Sequence, residues 1–186
     1  MDVRELHRRA LAEFGERVHR VGDTAWSDPT PCTEWAVRDL VNHLVSEQRW
    51  AVPLLAGATL QEVGDRFDGD VLGDDPVGVW DEAALEAAEA VAGVDLDRTV
   101  HLSYGDVAAS SYVFEMAADA LVHAWDLARA VGADTALDPE LVTTVYDTMA
   151  PRAGDLAASG LFAPPVPVAG DADPQTRLLA MTGRRA

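Results

Sequence analysis

The chain has 186 residues, enough for one domain with a core of its own, and is 48% hydrophobic and 25% charged. Its net charge is −18 and its fourteen basic residues are all arginine, which argues against nucleic acid or an anionic membrane as a partner. The single cysteine, Cys32, excludes an internal disulfide and a cysteine-rich zinc site.

No run of about 18 apolar residues occurs, so no membrane span is expected. The start, MDVRELHRRALAEF, is charged and amphipathic and lacks the apolar core of a signal peptide, so cytoplasm is the expected location.

In chain order, Val3, Leu6, Ala10, Leu11, Phe14, Val18 and Val21 recur at three- and four-residue steps and predict an amphipathic helix over residues 3 to 21. His7 and His19 lie among Arg8, Arg9, Arg17 and Arg20, and read as solvated surface. AWSDPTPCTEW, with two prolines, is an irregular connector. A second helix starts near Trp35 or Ala36 and runs to about Leu55, burying Val37, Leu40, Val41, Leu44 and Val45, with a kink or an end at Pro53. His43 stands on the border of that face, one turn after Asp39 and one before Glu47.

Residues 56 to 73 hold four glycines and several acids and read as a loop or a badly formed turn. Asp65, Asp68, Asp70, Asp74 and Asp75 do not fit a twelve-residue calcium loop, so a solvated acidic loop is expected. A third helix runs from Asp75 or Pro76 to Val91 or Ala92. Thr99 to Val107 predicts a short hairpin about a Tyr-Gly-Asp turn, with His101 at its surface or edge.

The most helical stretch is EMAADALVHAWDLARA, inside a long helix from Ser110 to Val131 that Gly132 ends. Asp119, His123 and Asp126 stand at i, i+4 and i+7 and share one stripe of it. ALDPELVTTVYDTMAPRAGDLA, residues 136 to 157, starts another helix that Pro151 interrupts. An extended proline-rich segment, FAPPVPVAGDADPQ, and a last short helix with Leu178, Leu179 and Met181 follow. With no internal repeat and no domain-sized linker, the expected architecture is all-α over residues 1–186: a helical bundle as a single domain, with a small β-hairpin and short C-terminal helices.

His43 from one helix and Asp119 plus His123 from another make three N/O donors, a pattern that leaves positions on a divalent cation for water or substrate. Asp126 is either a fourth ligand or an acceptor that orients a ligating imidazole. Arg129, one turn on, either meets an anionic substrate or pairs with Asp126, and Trp125 lines the site from beside His123 or belongs to the core with Trp35 and Trp50. The spacing alone leaves structural histidines as the competing reading. Cys32 precedes a helix N-terminus, which favours a thiolate, but reads as a packing residue of its turn before a catalytic one.

DPTPCTEWAVRDLVNHL, LVHAWDLARAVG and the tail FAPPVPV…DADPQTRLLAMTGR resemble an actinobacterial family of metal-binding proteins. That family is related to the N-terminal domain of mycothiol-dependent maleylpyruvate isomerase, within the DinB-like superfamily. The resemblance implies an up-and-down four-helix bundle with a divalent metal near one end, held by a histidine of the second helix and a Glu-x-x-x-His pair on a later one. His43 matches the first, and Asp119 to His123 the pair, with Asp in place of Glu. Ala36 stands where Ser or Thr often caps the second helix, an exchange that costs on the order of 1 kcal/mol.

The function this implies is a metal- and thiol-dependent isomerase or transferase, with zinc first and nickel, iron or manganese as alternatives. Mycothiol is the implied cosubstrate, and a small-molecule thiol and an electrophile are the implied partners. The competing reading is a metal-stabilised bundle acting as a binding or regulatory module. Homodimerisation stays open.

Overall fold

The computed structural model describes residues 1–154 and 162–186, which are mostly helical with one two-stranded antiparallel sheet. They form two compact units, Met1–Thr135 and Ala136–Ala186. No helix among the described residues is long and apolar enough to cross a membrane.

The first unit contains α1 (Val3–Val18), a 3-10 turn (Ala25–Ser27), α2 (Val37–Ala56), α3 (Leu60–Val63), α4 (Pro76–Gly93), β1 (Thr99–Leu102), β2 (Gly105–Ala108) and α5 (Ala109–Val131). Helix α1 packs on α4 and α5, and α2 packs on the same two helices. Their shared core takes Leu6, Ala10, Phe14 and Val18 from α1, Leu40, Val41, Leu44 and Val45 from α2, and Val113, Ala117, Leu121 and Ala124 from α5. These are the three- and four-residue steps of one helical face, so burial follows the sequence period. Close approach needs a small residue where α1 meets α4. A Cβ on Gly15 would stand 2.8 Å from the buried Trp80 indole nitrogen.

Helix ends follow local chemistry. Asp75 precedes Pro76 and accepts from the Gly78 amide, which starts α4. Asp138–Pro139 starts α6 (Pro139–Met149), and Asp173–Pro174 starts α7 (Pro174–Met181), each by the same device. A carboxylate satisfies an orphan amide while the proline occupies a position whose missing N–H is no loss. Gly132, at φ 68°, ends α5 in the left-handed region. In the second unit α6 runs into a 3-10 turn at Ala150–Arg152, where Pro151 breaks the α pattern. The remainder of the expected helical segment, from residue 155 to 157, lies outside the described residues.

Two expectations change. His7 is not on the surface: it is fully buried, with Nε2 3.2 Å from Gln48 Oε1. It stands one turn before Leu11 and two before Phe14, so the helical period carries it inward despite its arginine neighbours. His19 does lie outside, 2.9 Å from Asp81. The 56–73 segment is not all loop, because Thr59 and Glu62 form a capping box that nucleates α3, and Val63 and Leu72 are buried. Helix α2 ends close to the expected Leu55, at Ala56, with Pro53 in its final turn and Gly57 closing it.

The hairpin pairs Thr99 with Ala108 and His101 with Asp106, one residue longer than expected, and His101 Nδ1 stands 2.7 Å from Asp106 Oδ1.

Candidate metal centre

Helices α2 and α5 bring His43, Asp119 and His123 together. His43 Nε2 is 3.2 Å from Asp119 Oδ2, and His123 Nε2 is 3.4 Å from Asp119 Oδ1. One donor atom from each of the three lies within 4.8 Å of the others. Donors that share one zinc-class cation at about 2.1 Å stand roughly 3 to 4 Å apart, so this set has the size and the N/O chemistry of a divalent site. The side chains of His43 and Asp119 keep 29% and 21% of their surface and that of His123 keeps 7%, which leaves the His43 and Asp119 edges open to solvent.

Asp126 is fully buried and accepts from both His123 Nδ1, at 2.9 Å, and the Cys32 thiol, at 3.3 Å. A carboxylate can only accept, so Nδ1 carries the hydrogen and Nε2 is turned toward Asp119. Asp126 therefore orients the imidazole. Cys32, His123 and Asp126 form a second group of neighbouring donors that shares His123 with the first.

Cys32 owes its place to a tight turn. Thr30 Oγ1 accepts from the Cys32 amide and donates to the Trp35 carbonyl, and the Trp35 amide donates to the Cys32 carbonyl. Glu34 completes the turn at φ 69°, a left-handed conformation that costs a non-glycine residue about 1 kcal/mol. The same turn lays Trp35 beside both imidazoles, with ring centroids 4.9 Å from His43 and 6.0 Å from His123. Trp35, read from sequence as core, is the aromatic side chain of this site. Trp125 is buried and carries the exposed Arg129 guanidinium over its ring at 5.6 Å.

Glu47, one turn after His43 on α2, is the acid the spacing left unassigned. Its Oε1 stands 3.9 Å from His43 Nε2. The signal was present as a His-x-x-x-Glu repeat of the Asp-x-x-x-His pair on α5. Farther out, Glu115 accepts from the Tyr104 hydroxyl, which ties the hairpin turn to α5.

The electrostatics follow from crowding. Burial would push Asp119 up, but His123 and His43 hold it far below the usual carboxylate range. Burial lowers His123, yet Asp119, Asp126 and Cys32 together raise it well above an ordinary histidine. Burial, then the Asp119 charge, pushes Glu47 up to about 7 against the opposing pull of the two histidines. A cation and a proton therefore compete for His123 Nε2, because a ligating imidazole must give up that proton.

Two uncharacterized proteins of Mycobacterium tuberculosis, from strains CDC 1551 and H37Rv, are each 36% identical to this chain over 151 residues, covering 76% of it and 74% of their own length. No solved structure gives a significant match. Residues 7–128 match the family described as the mycothiol maleylpyruvate isomerase N-terminal domain. That span holds His43, Asp119, His123 and Asp126 together, and the chain belongs to this family.

Proposed function

We propose that the first unit is a DinB-like four-helix bundle in which His43, Asp119 and His123 hold one divalent cation, zinc first and nickel, iron or manganese as alternatives. On this reading the protein is a thiol-dependent isomerase or S-transferase acting on a small electrophile, with mycothiol or a similar low-molecular-weight thiol as cosubstrate. The observation that carries it is the convergence of two imidazole Nε2 atoms on the two oxygens of one carboxylate. Family membership and the mycobacterial relatives support the thiol.

When bound, a cation of this class lowers the pKa of a ligated thiol, so that the nucleophile exists as thiolate at neutral pH. The chain's own groups do the rest. Asp126 fixes the plane and the tautomer of His123. Trp35 packs beside both imidazoles and helps hold their rings in place. The exposed edges of His43 and Asp119 leave the side by which a thiol enters.

A second reading is a metal-stabilised bundle that serves as a binding or regulatory module. Glu47 favours it only where the cation is four-coordinate, because a fourth protein donor then leaves no position for substrate, whereas a five- or six-coordinate cation keeps one. Metal content of the purified protein, measured by mass spectrometry beside His43→Ala and His123→Ala, tests the common ground. Close to one equivalent per chain is expected, lost in both variants. A wild-type protein that holds no metal even after incubation with zinc and nickel overturns both readings.

A further inference from the structure

Two carboxylates, not one, face the His43 imidazole. Its Nε2 stands 3.2 Å from Asp119 Oδ2 and 3.9 Å from Glu47 Oε1. The arrangement comes from two matched pairs at one-turn spacing: His43 and Glu47 on α2, Asp119 and His123 on α5. Each helix so presents an imidazole and a carboxylate to the other.

Like charges pressed together in a partly buried place repel, and either a proton or a cation between them removes the repulsion. Glu47 is turned toward that place rather than away from it: 38% of its side chain remains exposed, yet its carboxyl faces the same His43 nitrogen that Asp119 meets. The His43 imidazole one turn away draws Glu47 in, but it cannot by itself satisfy two carboxylates. A cation between them can.

We propose, on the reading that His43, Asp119 and His123 hold a metal, that Glu47 is a fourth protein ligand, making a cage of two imidazoles and two carboxylates. Glu47 Oε1 stands 3.9 Å from His43 Nε2, just outside the trio whose donor atoms all lie within 4.8 Å of one another, so its flexible stem reaches the cation by a rotamer change. Asp119 is the shorter acid, and the longer Glu47 side chain spans the gap from α2. Charge suits it as well: two carboxylates neutralise a divalent cation, whereas one leaves a net positive charge half out of water. Such a cage takes five- or six-coordinate zinc, iron, manganese or nickel, with positions left for a thiol or water, and disfavours soft ions such as copper(I).

Cobalt(II) titration of metal-free protein, followed by visible absorption, reads ligand number and affinity at once. The side chain of Glu47 is partly in solvent, so its replacement opens no core cavity, and melts of the metal-free forms confirm equal folding. Glu47→Gln is expected to bind cobalt about ten- to a hundredfold more weakly. Its bands should intensify as the coordination number falls. Glu47→Asp, which keeps the charge but withdraws it by one methylene, should also lose the wild-type spectrum. Glu47→Gln with wild-type affinity overturns the proposal, and so does weaker binding with a spectrum superimposable on wild type, since the carboxylate then acts by charge alone. His123→Ala that still binds cobalt like wild type overturns the three-donor reading instead, whatever Glu47 does.

Discussion

His7 shows how one residue sets a pH limit. It is wholly buried between α1 and α2, its Nδ1 has no hydrogen-bond partner among the described residues, and burial, only partly offset by Gln48, lowers its pKa to about 4. A histidine in the unfolded chain titrates near 6.5, so between these values the unfolded state binds the proton first. Stability is therefore complete above about pH 6.5 and declines as pH falls through 4, by about 3 kcal/mol in all. His7→Leu should flatten that part of the pH profile in urea unfolding, and an unaltered profile would clear His7 of the effect. The same residue marks a limit of sequence reading. Arg8 and Arg9 beside it signalled solvent, but the steps to Leu11 and Phe14 decided its direction. Trp35 and Glu47 escaped for another reason: their place beside His43 depends on a turn and on the packing of α2 against α5, neither of which spacing encodes.

Among the elements, α2 carries a local flaw that can be repaired. The Ala36 amide donates to Asp39 Oδ2 at 2.9 Å, one half of a capping box, but Ala36 offers no oxygen for the other half. Ala36→Ser supplies it and should add about 1 kcal/mol, raising Tm by roughly 3 °C in calorimetry. An unmoved Tm would mean that the Val37 amide bond to the Asp28 carbonyl already fixes the first turn. Long elements were legible because helical period and punctuation agree: α5 has no internal Gly or Pro, and Gly132 stops it. Helix α3 was not, because four residues are too few for a period, although Thr59 and Glu62 announced its start. One-turn spacing made the Asp119–His123 pair on α5 legible, but joining His43 of α2 to it took the family resemblance, because spacing does not encode how two helices pack.

For the whole molecule, the proposed cation joins parts of the chain that lie far apart. His43 and Asp119 are separated by 76 residues, and their contact crosses from α2 to α5. An ion gripped by both is a reversible cross-link that closes a long loop. The chain cannot unfold without either releasing it or keeping that loop shut, a constraint worth on the order of 4 kcal/mol if it persisted in the unfolded ensemble. Release is the easier route, so stability becomes a function of free metal, rising by about 1.4 kcal/mol for each tenfold excess over Kd. Melting wild type across a zinc series should move Tm steadily upward and a chelator should return it, while His43→Ala should melt at one temperature throughout. A wild-type Tm indifferent to zinc would mean that no such cross-link forms. If it does form, metal supply governs how long the fold survives as well as what its site can do.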